Sequence, residues 1–265
     1  LLDASGKYRG KSAGGIYGDV VEEIDGNVGR ILDVLKEEGL DERTYVIFTS
    51  DNGPWFLGRS KGHLKRIGKD AVTHGGTAAP LRGDKTSVWE GGVRVPCVIR
   101  APGRVPAGIE CAEIGSTMDF MPTLAALAGT KAPDDRVIDG HDIRDLVHGV
   151  EGAKSPTEFL YHYAKTRLGA VRSGKWKLHV PRPVDAKWQH YSKAKDAIAI
   201  PKPMLIDLGA DPAETTNVAA QHPEVVARLM AAAERARTDI GDHDRIGKNA
   251  RFFDLQPRRP DIERK

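Results

Sequence analysis

A helix-period run followed at once by a strand-like run constrains this sequence more than any other feature. Ile16, Val20, Val21, Ile24, Val28, Ile31, Leu32 and Leu35 recur three or four residues apart, with Asp and Glu on the other side. That spacing predicts an amphipathic helix over residues 16–38. Gly39 stands where a helix-ending C′ glycine belongs. The run Thr44-Tyr45-Val46-Ile47-Phe48-Thr49 is β-branched and aromatic and reads as a buried strand packed on that helix. Helix, tight turn and buried strand make half of a βαβ unit, which sets the fold class as α/β.

The pattern continues, then changes. Val93 to Arg100 resumes a strand, and Thr117 to Ala128 reads as a helix with Pro122 in its first turns and Gly129 at its end. Near residue 150 the helix and strand alternation gives way to short runs at Phe159 to Tyr163, Gly169 to Val180 and Met204 to Leu208. These predict a small antiparallel sheet from about residue 156, with a helix at Glu224 to Ile240, opened by Pro223, packed on it. The expected organisation is an α/β domain over residues 1–150, a small α+β subdomain over 151–240 and a polar surface tail over 241–265. A chain of 265 residues is long enough to bury a substantial core.

Composition removes several function classes. Hydrophobic residues are 40% and charged residues 29%, with a net charge of +3. Runs such as Tyr45 to Phe48 and Leu124 to Ala128 are too short to span a bilayer, so no membrane span is expected. No dense basic stripe of the kind that binds nucleic acid is present. The Leu1-Leu2-Asp3 start has neither the basic nor the apolar region of a signal peptide. Cys97 and Cys111 are too few for a disulfide framework or a multi-cysteine zinc site. Cys97, within Val95-Pro96-Cys97-Val98-Ile99, reads as a plain buried thiol.

The residues that can carry chemistry follow the predicted strand. Ser50-Asp51-Asn52-Gly53-Pro54 lies at its carboxyl end, where open α/β sheets bind ligands. The Asp51 carboxylate and the Asn52 amide oxygen suit a hard cation such as Ca²⁺. The same residues are also ordinary turn chemistry. Calcium takes about six to eight oxygens, so further ligands would have to come from elsewhere. Residues 56–84 are rich in Gly, Lys, Arg and His and predict a long loop. Beyond it, Pro80-Leu81-Arg82-Gly83-Asp84-Lys85 leads into Trp89-Glu90-Gly91-Gly92-Val93-Arg94-Val95-Pro96. Lys85 and Arg82 can face an anion, with the lysine as a point charge on a sulfate or phosphate oxygen; a solvated basic loop is the other reading. His74, in Thr73-His74-Gly75-Gly76, can donate to an anion or a leaving oxygen, or be an incidental loop histidine.

Taken together these segments are specific. A strand leading into Ser-Asp-Asn-Gly-Pro, then Leu-Arg-Gly-Asp-Lys, then Trp-Glu-Gly-Gly-Val-Arg-Val-Pro closely resembles the sulfatase family, of the alkaline-phosphatase-like superfamily. Tyr17 to Asp25 resembles the family helix before the metal strand. Ala101-Pro102-Gly103, Asp119 to Leu124 and Asp139-Gly140-His141-Asp142 resemble later landmarks. Val171 to Leu178, Leu205-Ile206-Asp207-Leu208 and Asp211-Pro212-Ala213-Glu214 resemble its small C-terminal sheet and following turn. The match runs from about residue 8 to 235 and is nearest to arylsulfatase-like members.

The resemblance implies a partial alkaline-phosphatase-like sheet with flanking helices, plus a small C-terminal antiparallel sheet and helix. It implies sulfuric ester hydrolysis on a sulfated small molecule or glycan, with Ca²⁺ held in part by Asp51 and Asn52. Lys85 matches the lysine that holds the substrate sulfate, with Arg82 beside it, and His74 is carried over as a second catalytic candidate. Glu90 and Arg94 match positions that shape the loop. The family nucleophile is a formylglycine matured within Cys/Ser-x-Pro-x-Arg, and no cysteine or serine here stands in that pattern. The expectation is a C-terminal portion whose nucleophile-bearing half lies upstream, inactive alone, in a periplasmic, secreted or lysosomal-like setting. A phosphodiesterase or phosphonate hydrolase of the same superfamily and a non-catalytic binding remnant are the alternatives.

Overall fold

The computed structural model describes residues 2–55, 65, 75–183 and 199–251. They form two compact units. One takes the residues up to Cys111 together with Val147–Glu151; the other takes Ala112–Leu146 and the stretches 152–183 and 199–251.

The first unit opens on helix α1, Gly15–Glu37. Its end is a Schellman motif: Gly39, at φ +66, donates to the Lys36 carbonyl, and Leu40 N donates to that of Leu35. The segment before the helix is tied to it by Asp19, 2% exposed, whose carboxylate accepts from the backbone N–H of Gly10, Lys11 and Ser12. A 3₁₀ turn at Asp41–Arg43 leads into strand β1, Val46–Thr49. A one-turn helix α2, Glu90–Val93, precedes strand β2, Cys97–Arg100. Arg100 makes a bidentate ion pair to Asp41, which fixes β2 to the 3₁₀ turn.

Here the structure corrects two expectations. β1 pairs antiparallel with β2, Val46 opposite Arg100 and Thr49 opposite Cys97, not in the parallel sense of a βαβ unit. The run is also not buried among the described residues. Phe48 and Val98 are exposed, and so are Val21, Ile24, Ile31 and Val34 on α1, because no further described layer covers a two-stranded ribbon. For the same reason Cys97, expected to be buried, is exposed. Partial burial still pushes its thiol pKa up, opposed by a hydrogen bond with Thr49.

The second unit has two parts. In the first, a 3₁₀ turn at Thr117–Asp119 runs into helix α3, Phe120–Leu127. Ser116 and Asp119 form a capping box, and the other oxygen of Asp119 accepts from His141 N at 2.8 Å. Two of the sequence landmarks are thereby bound to each other. Gly140 is required there, since a Cβ would lie 1.9 Å from the Met118 carbonyl oxygen. A one-turn helix, α4, occupies Arg144–Val147.

In the second part, β3 (Leu160–Ala164), β4 (Arg167–Ser173), β5 (Trp176–His179) and β6 (Met204–Asp207) form an antiparallel sheet in sequence order. Gly174, at φ +53, takes the first position of the two-residue β4–β5 turn. Helix α5, Pro223–Asp239, lays Leu229, Ala232, Ala233 and Ala236 against Leu168, Val171, Leu178, Val180 and Leu205. Small residues on the helix let it approach closely, and burying each leucine contributes roughly 1.5–3 kcal/mol. The predicted sheet and helix are therefore observed.

Within this unit lies a charged cluster that sequence reading did not single out. Lys177, His179 and Glu214 are all fully buried. Glu214 Oε1 lies 3.1 Å from Lys177 Nζ and 2.8 Å from His179 Nε2. Asp211 shapes the turn that aims Glu214, accepting from Thr215 N and Thr216 N. Arg182 donates to the Gly169 carbonyl, and its NH2 lies 3.3 Å from His179 Nδ1. Burial lowers its pKa to about 10, with Arg167 adding to the shift and Glu214 opposing it.

The segment expected as a polar tail begins as a folded ribbon, β7 (Gly241–Asp242) paired with β8 (Arg245–Ile246). Buried Asp242 accepts from Leu168 N and Arg237 Nε, which ties the ribbon to β4 and α5. Residues 252–265 lie outside the described set.

Candidate active site

The turn after β1 and the loop before α2 are joined through their backbones. Gly53 N donates to the Gly92 carbonyl and Lys85 N to that of Pro54, each at 3.0 Å. Gly91 N donates to the Arg82 carbonyl at 2.7 Å. The glycines make this possible. A Cβ on Gly53 would sit 1.8 Å from Gly91 O, one on Gly91 2.5 Å from Gly83 O, and one on Gly92 2.4 Å from Ser87 O. The Trp-Glu-Gly-Gly segment is thus a buried seat for both loops, with Trp89 and Glu90 each 1% exposed.

This seat sets the neighbours of the candidate residues. Asp51 is exposed and Asn52 half-buried at the head of the turn; Ser50 Oγ donates to the Asn52 carbonyl at 3.0 Å and stiffens it. Lys85 is half-buried, held by its own backbone beside Pro54. The Arg82 guanidinium lies over the Trp89 ring, 3.8 Å from its centroid, a cation–π contact that fixes the side chain. Arg94, expected to shape the loop, is exposed, and its backbone N–H closes the turn of α2 on the Glu90 carbonyl. His74 lies outside the described residues.

Sequence reading missed Trp55. It follows directly after the Asp51 to Pro54 turn, and its ring lies 5.9 Å from Lys85 Nζ. The available signal was a tryptophan immediately after a ligand-type turn, where a polar loop residue is the norm.

The donor set fits a hard cation in kind. Asp51 and Asn52 offer oxygen donors, while the described loops around them place no thiol there. A second acidic group, Asp242, His243 and Asp244, lies in the other unit, but the buried carboxylate of Asp242 already accepts from Leu168, Arg237 and His243. No helix among the described residues is long and apolar enough to cross a membrane.

Comparison with known proteins identifies the family and the fold. Mouse steryl-sulfatase is 38% identical over 251 residues, covering 88% of this chain and 39% of the relative. Human arylsulfatase D is 35% identical over 258 residues, covering 90% and 42%. The chain therefore spans about two fifths of the length of these relatives. Among solved structures, a Bacteroides thetaiotaomicron sulfatase of glycosaminoglycan metabolism superposes with a TM-score of 0.70 at 30% identity, over 88% of this chain and 47% of its own. A Pseudoalteromonas sulfatase reaches 0.72 at 24% identity, over 89% and 45%, and supports the fold alone. That shared fold is the alkaline-phosphatase-like α/β fold. The sulfatase family model matches residues 8–130 and the model of the C-terminal region of aryl-sulfatase matches residues 155–257. The two matches follow one another along the chain, and the chain belongs to the sulfatase family.

Proposed function

We propose that the protein hydrolyses sulfate esters, and that the joined loops of this chain supply part of the sulfate and cation site. The observation that carries this reading is the pair of backbone hydrogen bonds that clamps the Lys85 loop to the Asp51 turn. In the reaction water supplies the oxygen added to sulfur, the ester S–O bond breaks, and sulfate and an alcohol or phenol leave. Lys85 binds a sulfuryl oxygen through its ammonium and stabilises charge as the bond breaks. Arg82, packed on Trp89, adds positive potential to the same loop. His74 is retained as the candidate donor to the leaving oxygen.

Asp51 and Asn52 would hold Ca²⁺ together with ligands from other segments of the protein. When bound, the cation supplies Lewis acidity and a template for the sulfuryl oxygens. The formylglycine nucleophile of the family has no counterpart at Cys97 or Cys111, neither of which lies in a Cys-x-Pro-x-Arg pattern. The substrate class is a sulfated small molecule or glycan, in keeping with the steryl and aryl sulfatases to which the chain is similar.

The test is release of inorganic sulfate from para-nitrophenyl sulfate by the protein in its full natural length. Turnover of the sulfate ester above that of the matching phosphate and phosphonate esters is expected. Cleavage of the phosphorus esters alone would replace this reading with a phosphoryl one.

A further inference from the structure

Two tryptophans belong to the joined loops, and the fold treats them differently. Trp89 is 1% exposed under the Arg82 guanidinium and serves as packing. Trp55 is 43% exposed, and its ring lies 5.9 Å from Lys85 Nζ. Singly exposed apolar side chains are common and need no function. Two features set this one apart. First, the two residues before it have little freedom: buried Gly53 abuts Gly91, Pro54 has a fixed φ, and the Pro54 carbonyl is held by Lys85 N. The indole is therefore presented from a rigid base, as binding residues require. Second, it lies beside the amine assigned to the sulfate. A group esterified to a sulfate at Lys85 has the exposed indole within reach.

We infer that Trp55 is a stacking platform for the organic part of the ester, and that it selects sulfates borne on a ring, either aromatic or saturated with an apolar C–H face. This rests on the assignment of Lys85 as the sulfate contact. The physical basis is the broad, polarisable face of tryptophan, which gains dispersion and quadrupole energy from a ring laid against it. An acyclic alkyl chain covers less of that face and loses more rotamer freedom in doing so. The ring lies 5.9 Å from Lys85 Nζ, so sulfate and ring are recognised side by side.

The experiment compares wild type, Trp55→Ala and Trp55→Phe in the protein at its full natural length. Steady-state kinetics are measured with para-nitrophenyl sulfate and with n-propyl sulfate, and inhibition with inorganic sulfate. For the ring ester, Trp55→Ala should raise KM about three- to tenfold, the size of an aromatic stacking contribution. Its kcat, its inhibition by inorganic sulfate and its KM for the propyl ester should stay within about twofold of wild type, and Trp55→Phe should recover most of the loss. An unchanged KM for the ring ester would overturn the platform. Equal losses on the ring ester, the propyl ester and inorganic sulfate would also overturn it, because Trp55 would then act only through Lys85. Wild-type protein that cleaves no sulfate ester would remove the Lys85 assignment and the platform with it. An active wild type with an unaffected Trp55→Ala variant would remove the platform alone.

Discussion

The backbone amide of Lys85 donates to the carbonyl of Pro54 at 3.0 Å, so the lysine and the Asp51-Asn52 turn are joined through their backbones despite their separation in sequence. The clamp depends on glycine. Gly53→Ala would place a methyl 1.8 Å from Gly91 O, a clash with backbone that no rotamer relieves. It should destabilise the protein by roughly 1–3 kcal/mol. Gly29→Ala is the control: it lies within α1 and its Cβ position meets nothing within 4 Å, so a gain of about 0.4–1 kcal/mol is expected. Denaturant unfolding of the two variants should move in opposite directions.

Glu214→Leu should be among the most damaging single changes in the second unit. It leaves Lys177 and His179 buried without the carboxylate that both contact. Loss of one partner from a buried ion pair costs about 3–5 kcal/mol. A thermal melt close to that of wild type would show that the cluster is not held as described.

Acid should loosen the segment before α1. The Asp19 carboxyl is held below its usual range chiefly by the backbone N–H of Ser12, then by that of Gly10, with smaller help from Lys11 and Arg9. A depressed carboxylate stabilises the fold above its unfolded pKa of about 4, and that contribution is lost as pH falls through the lower folded value. The protection factors of the Gly10, Lys11 and Ser12 amides, measured against their intrinsic exchange rates at each pH, should therefore fall on acidification below about pH 4. In Asp19→Asn the same amides should be less protected at neutral pH and show a flatter acid response.

Much of the fold was legible because periodicity reports local structure. The stripe from Ile16 to Leu35 gave α1 to within a residue or two, and Gly39 marked its end through a conformation that few other residues take. The C-terminal sheet and its helix followed from short alternating runs and Pro223. Strand direction was not legible: the run at Val46 has the same composition whether its neighbour is parallel or antiparallel, and its burial depends on which layers cover it. Long-range polar pairing was also hidden. Nothing local in Lys177 or Glu214 says that a left-handed residue at φ +54 carries the carboxylate to the lysine. At the site, the motifs drew attention to Asp51, Asn52, Arg82 and Lys85. The Arg82 stack on Trp89 and the position of Trp55 beside Lys85 needed coordinates.

Removal of metal should expose the role of the turn. With the protein at its full natural length, a chelator should suppress turnover of a sulfate ester and added Ca²⁺ should restore it. Asp51→Ala should weaken calcium affinity by roughly 10–100-fold or more, since even outer-shell partners of a metal cost that much. Calcium titration monitored by calorimetry checks this separately from activity.

The most direct measurement is kcat/KM for para-nitrophenyl sulfate in the protein at its full natural length, wild type against Lys85→Ala, with a thermal melt of each. Lys85 stands on a clamp built from backbone, so its side chain can be removed without disturbing the loop. The expected result is a loss of about 100–1,000-fold, the scale of one transition-state contact to a developing anion, with an unchanged melt. A Lys85→Ala protein that is correctly folded and cleaves the sulfate ester as fast as wild type would contradict the assignment of this loop to sulfate.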